Sequence, residues 1–163
     1  MVNRSKKVCF GRQLKQTEGF SLLELLIVIA VTAILLAIIW PHVSLLSRWK
    51  VKTAAASLAS DLRLARQEAI TTGRVSRVVF FIYTNSYQLR LPEESRLVYL
   101  PDGVFFEGIT FQGIPPYVHF NMLGHPSGGG TVILKSKEGD KLYVVVTPVT
   151  GRIRISRTPP EHW

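Results

Sequence analysis

Two groups of residues carry chemistry that their surroundings do not account for. The first is Glu24, the single ionisable residue in the run from Phe20 to Trp40, FSLLELLIVIAVTAILLAIIW. A carboxylate inside an apolar span costs roughly 2.5–3.5 kcal/mol on membrane-insertion scales, so it marks a function or a partner. The competing account is an unpaired acid near the interface that snorkels to water. The second group is Gly151-Arg152-Ile153-Arg154-Ile155-Ser156-Arg157. Side chains alternate along a strand, which places Arg152 and Arg154 on one face about 7 Å apart and Ile153 and Ile155 on the other. The isoleucines can then bury against a helix. That arginine spacing suits successive phosphates of a nucleic-acid strand, and guanidinium binds phosphate bidentately. Arg157 and the tail to Trp163 would extend the patch, with Trp163 able to stack on a base. A solvated strand face, or an edge strand whose charge blocks aggregation, has the same composition.

Other reactive residue types are present without a pattern. His42, His119, His125 and His162 are scattered, with no H-x-x-x-H spacing and no cysteine companion, so no metal site is legible. Glu93-Glu94 is a pair of neighbours that an extended chain points to opposite sides, and it reads as a solvated turn. Ser127-Gly-Gly-Gly-Thr131 lacks the lysine and the following helix of a phosphate loop, and reads as a mobile loop. These patterns predict a protein that is not an enzyme and needs no cofactor. A membrane-tethered enzyme would require a convergent site that the sequence does not display.

The elements that must hold Glu24 and the arginines follow from composition. The chain has 163 residues, 20 basic and 11 acidic, and a formal charge of +9. That is room for one ordinary domain. The single cysteine, Cys9, excludes an internal disulfide framework. Mean hydropathy is high, +0.20, because of the run 20–40. At about 1.5 Å per residue this run is long enough to cross a bilayer's ~30 Å core. Arg4, Lys6, Lys7, Arg12 and Lys15 precede it with one acid, Glu18. The positive-inside rule therefore keeps residues 1–19 cytoplasmic and sends the rest across the membrane. A removable secretory signal would have a shorter apolar region and a small-residue cleavage site after it. Here the small residue, Gly19, stands before the run.

The segment KQTEGFSLLELLIVIAVTAILLAI resembles the class III leader and N-terminal helix of type IV pilins and type II secretion pseudopilins. Gly19, Phe20 and Glu24 match that family's Gly, Phe and fifth-position acid. The resemblance implies cleavage between Gly19 and Phe20 by a prepilin peptidase and methylation of the new Phe20 amine. It also implies a kink at Pro41, where pilins often carry a proline. Cleavage would give Glu24 a cation one helical turn away, or would let it meet the amine of a neighbouring subunit and fix register in a filament. Cys9 would leave with the leader.

Beyond Pro41 the apolar positions Val51, Ala54, Ala55, Leu58, Leu62, Ala65, Ala69 and Ile70 recur with a period near 3.6. Lys50, Lys52, Arg63 and Gln67 fall mostly on the other side, and Gly73 supplies a stop. The reading is one long helix over 20–72, its half 41–72 amphipathic. After Gly73 the period becomes two. Strands are expected near 75–83, 86–91, 95–100, 103–112, 117–121, 131–136, 141–147 and 151–157, separated by turn residues such as Pro101-Asp102-Gly103 and Pro115-Pro116. A helix followed only by strands predicts an α+β fold, with antiparallel sheets of a domain 73–163 packed on the helix. ARQEAITTGRV, the LPDGV turn, YVHFNMLG, TVIL, YVVV and the final Gly-Arg strand are similar in kind and order to the GspH/FimT group of minor pseudopilins and minor pilins.

The family resemblance implies a structural subunit that initiates or caps a pseudopilus or type IV pilus in type II protein secretion. Its partners would be prepilin peptidase, other major and minor pseudopilins or pilins, the inner-membrane assembly platform and the membrane itself. In minor pilins of the FimT kind a GRxR motif is associated with DNA binding, and GRIR stands at 151–154. The alternative is thus a minor pilin that captures DNA for uptake through Arg152, Arg154 and Arg157. Whether Arg74, Arg77, Lys135, Lys137 and Lys141 join that patch depends on strand pairing.

Overall fold

The computed structural model describes residues 21–39 and 42–160. The chain divides into two units, Met1–Trp40 and Pro41–Trp163. In the first unit, α1 runs Leu22–Ile39. The carbonyl of Ser21 opens it, accepting the Glu24 and Leu25 N–H groups at 3.0 and 3.1 Å. Glu24 lies in the first turn, where an acid complements the helix dipole. The Thr32 hydroxyl donates back to the carbonyls of Val28 and Ile29, both at 2.9 Å, so the helix leaves that group satisfied without water. Among the described residues no helix is long and apolar enough to cross a membrane. α1 covers 18 residues of the expected run, whose ends Phe20 and Trp40 lie outside the described residues. So do Gly19 and Pro41, with the expected cleavage site and kink.

The second unit begins with α2, His42–Thr72. Helix is thus found on both sides of residues 40–41, in two elements. Val51, Ala54, Ala55, Leu58, Leu62, Ala65 and Ala69 are buried, as the periodicity predicts, and Ala59 joins them. Ile70 departs from the expectation: it is 43% exposed. It sits about 100° round the helix from Ala69, past the edge of the apolar stripe.

All eight expected strands form. They are β1 Ser76–Phe81, β2 Ser86–Arg90, β3 Ser95–Tyr99, β4 Val104–Ile109, β5 Tyr117–Phe120, β6 Gly130–Ser136, β7 Lys141–Val146 and β8 Ile153–Ser156. They make two four-stranded antiparallel sheets, ordered β3-β2-β1-β5 and β4-β6-β7-β8. The architecture is α+β, with α2 packed on both sheets. Most strands end a residue or two inside their predicted bounds because turns claim the ends. A register shift between Phe106 and Gly108 bends β4, and Thr110 already bonds across to Thr131. The glycine-rich segment is also corrected. Gly130 and Thr131 are buried and open β6, so only its first residues form a loop.

The core joins the α2 stripe to alternate residues of both sheets, including Val78, Phe80, Leu89, Val118, Val132, Leu134, Val144 and Val146. The Phe80 ring stacks on Phe111 at 5.6 Å and meets Phe106 edge-on at 6.1 Å. Every residue of this core lies between Val51 and Ile153, so the unit 41–163 holds a complete core of its own. A polar tie supplements it. Asp61 on α2 accepts the Tyr87 hydroxyl at 2.5 Å and pairs with Arg96 at 2.8 Å. Burial first, and then that carboxylate, push the Tyr87 phenol well above its ordinary pKa.

Candidate functional site

The arginine strand is built around Gly151. A backbone φ of +63° places this residue in the left-handed region, which glycine adopts at least cost. A Cβ there would stand 2.7 Å from the carbonyl oxygen of Gly124. Arg66 of α2 donates to that same oxygen at 3.1 Å, so the oxygen is held in place. The Gly151 N–H donates to Thr147 at 3.1 Å, and the Arg152 carbonyl accepts the Thr147 N–H at 2.9 Å. The tight return delivers Arg152 to the start of β8. From there the register runs Ile153 opposite Val146, Arg154 opposite Val145 and Ile155 opposite Val144. Arg63 of α2 donates to the Ile153 carbonyl at 3.3 Å.

Arg152 and Arg154 are exposed and share a sheet face, as their spacing requires. Among the described residues no carboxylate lies within ion-pair distance of either. Ile153 is buried at 8% exposure, but Ile155 is 40% exposed and does not bury against the helix as expected. β8 is an edge strand. Arg157 follows the last residue of β8, Ser156, and is exposed. It lines a groove of about 710 Å³ together with Arg48, Trp49, Lys52, Lys141 and Ile155. Trp163 lies outside the described residues.

Of the other basic residues, Lys135 and Lys141 share the sheet and face of Arg154 through the β6–β7–β8 register, but an acid holds both. Lys135 and Lys141 face each other across β6 and β7, and both bind Glu107 of β4, at 3.1 and 2.7 Å. The hydrogen bond from Lys141, ahead of the one from Lys135, holds the Glu107 carboxyl below its usual range and raises the Lys141 ammonium. Arg77 belongs to the other sheet, its guanidinium 4.9 Å from the Tyr117 ring centroid. Arg74 is exposed just after α2, and Lys137 sits in the β6–β7 turn.

Two histidine side chains are described. His119 stacks on Tyr117 at 6.0 Å, and the Nδ1 of His125 meets the Val149 carbonyl. Among the described residues no group of acids, histidines or cysteines is arranged to hold a metal. Glu93 and Glu94 are exposed in the β2–β3 turn.

In the first unit the site is Glu24 and the surface around it. Every described side chain from Ser21 to Ala37 is exposed, including Leu22 at 81% and Leu36 at 65%.

Sequence reasoning missed the Asp61–Tyr87–Arg96 tie and the groove beside α2. Both depend on which strand reaches which helical turn, and one-dimensional periodicity does not encode that.

Comparison with known proteins adds three findings. Residues 14–40 match the prokaryotic N-terminal methylation motif, and residues 54–151 match the family described as type II transport protein GspH. Competence protein ComGD of Bacillus subtilis (strain 168) is 28% identical over 147 residues, 89% of this chain and 97% of that protein. Two solved structures share the fold. The minor pseudopilin EpsH from the Vibrio cholerae type 2 secretion system has a TM-score of 0.54 at 16% identity, covering 66% of this chain and 96% of its own. The minor pilin FimU of Pseudomonas aeruginosa (strain PAO1) has a TM-score of 0.53 at 14% identity, covering 67% and 90%.

Proposed function

This chain belongs to the GspH family of type II transport proteins, a family of pseudopilin and pilin subunits, and from that premise we propose that it is a minor subunit initiating or capping a pseudopilus or type IV pilus in protein secretion. The observation that carries the reading is α1: an apolar helix exposed on all sides, with an acid in its first turn, beside a unit that needs none of it for a core. Such a helix requires other apolar surroundings, first lipid and then the helices of neighbouring subunits. Residues 1–19 act as a leader, 20–40 as membrane anchor and assembly helix, and 41–72 as the helix carrying the β-rich domain 73–163. The N-terminus stays in the cytoplasm and the domain lies beyond the inner membrane. The partners are prepilin peptidase, which cuts at Gly19-Phe20 and methylates Phe20, the other pilin-like subunits and the assembly platform. Glu24 pairs with a processed amine and sets axial register.

Co-expression with a prepilin peptidase tests this. Wild type should shorten by the leader, and Gly19→Val should remain full length. A wild-type chain that stays intact would contradict the assignment.

A second reading is favoured by one local feature, the exposed and unpaired Arg152 and Arg154 on a strand fixed by Gly151. Here the protein is a minor pilin that captures DNA, and the competence protein among its relatives supports this reading. The fragment 41–163 should bind DNA with an affinity that falls steeply with salt, because each neutralised phosphate releases counterions. Arg152→Gln with Arg154→Gln should abolish retention and reduce the salt slope by about 2. Affinity within twofold of wild type would exclude the reading.

A further inference from the structure

The groove at the start of α2 combines an apolar floor with a basic rim. Its floor is apolar, formed by Val51, Ala56 and Leu142, with Ile155 at 40% exposure. Its rim carries Arg48, Lys52, Lys141 and Arg157 against one acid, Asp140. Arg48 is tied to Asp140 at 3.3 Å and Lys141 to Glu107, which leaves Lys52 and Arg157 without a carboxylate partner among the described residues. Trp49 is 65% exposed, and the Lys52 Nζ lies 5.5 Å from its ring centroid. An amphipathic aromatic beside free cations is the surface that partitions into the headgroup layer of a bilayer.

Chain continuity supplies the location. Arg48, Trp49 and Lys52 lie near the start of α2, and in sequence only Trp40 and Pro41 separate that helix from α1.

We infer that this groove, with Lys52, Arg157 and Trp49, seats the phosphate headgroup of an anionic phospholipid while the subunit waits in the membrane. The inference rests on the membrane-anchored reading of the protein. Its test does not pass through the leader or the cleavage step, so a failure of the headgroup seat is distinguishable from a failure of that reading. The seat would hold the domain against the bilayer surface until assembly withdraws it.

The experiment uses the fragment 41–163, which holds its own core. It is sedimented with vesicles of phosphatidylcholine alone and with equimolar phosphatidylglycerol and phosphatidylcholine. The fragment should bind the mixed vesicles and not the neutral ones. Lys52→Gln and Arg157→Gln should each weaken binding about fivefold, and together about 25-fold, the scale of one surface cation each at an anionic membrane. Arg90→Gln, on the other sheet, should change nothing. All three side chains are exposed, and unchanged thermal unfolding of the variants confirms that folding is intact. Equal binding to both vesicle types overturns the proposal, as does wild-type binding by the double variant. Retention of inorganic phosphate without vesicle binding assigns the groove to a free anion. Binding of a single-stranded oligonucleotide that the same substitutions abolish, with vesicle binding unaffected, assigns it to nucleic acid. Either result also overturns the proposal.

Discussion

Gly151→Ala isolates what holds the arginine strand. Two costs are expected at this position. An L-residue in the left-handed region loses about 1–2 kcal/mol, offset by a few tenths through the less flexible unfolded chain. The second cost is steric. The new Cβ would lie 2.7 Å from the Gly124 oxygen and 3.3 Å from both the Arg66 Nε and the Pro126 Cδ. Relief is restricted, because that oxygen is bonded to Arg66 and the Gly124 N–H is bonded to Asn121 at 2.8 Å. Overpacking of this kind costs about 1–3 kcal/mol. Gly73 separates the two costs. Its φ of +66° is nearly the same, but nothing lies within 4 Å of a Cβ built there. Gly73→Ala should therefore lose about 1 kcal/mol and Gly151→Ala about 2–4 kcal/mol. Urea unfolding of 41–163 reads the difference directly, since slopes of 1–3 kcal/mol per molar convert ~2 kcal/mol into a midpoint shift of about 1 M. Equal losses in the two variants would refute the steric argument, that the Gly124 carbonyl leaves no room for a side chain at position 151.

Three further outcomes follow from the geometry. Asp61→Ala strands the buried Tyr87 hydroxyl and should cost about 1–3 kcal/mol, more than Tyr87→Phe, which leaves Asp61 paired with Arg96; the reverse order in chemical denaturation would contradict the network. Because the folded-state pKa of Glu107 is depressed by Lys141 and Lys135, its contribution is present above the unfolded value near 4.5 and is lost as pH falls through the folded value, so acid titration should show a stability decrement that Glu107→Gln lacks. Glu24→Ala should leave processing intact and reduce incorporation into filaments in a shearing assay; normal incorporation would remove Glu24 from the assembly role.

The parts of the fold that were legible in the sequence are those written in one-dimensional periods. The buried stripe from Val51 to Ala69 repeats at helical spacing, and the strands alternate strongly between turn residues that interrupt them. Ile70 failed because a period locates the centre of a stripe better than its edge. Ile155 failed because alternation says which way a side chain points and not whether anything covers it there. The pair Arg152 and Arg154 was legible because alternation joins them, whereas Arg157 falls past the strand's last residue, Ser156, where that alternation ends. The Asp61–Tyr87–Arg96 tie and the groove beside Trp49 required the strand order, which long-range pairing decides. Glu24 stood out because a lone charge in an apolar run is anomalous on composition alone.

The self-sufficiency of the second unit has a consequence for how such a subunit could be handled by a machine. Since its interior draws on residues 51 to 153 alone, moving the apolar helix from oil to a bundle of like helices need not perturb the head. The energetic balance of extraction then falls on the helix and its immediate surroundings, and the domain travels as finished cargo.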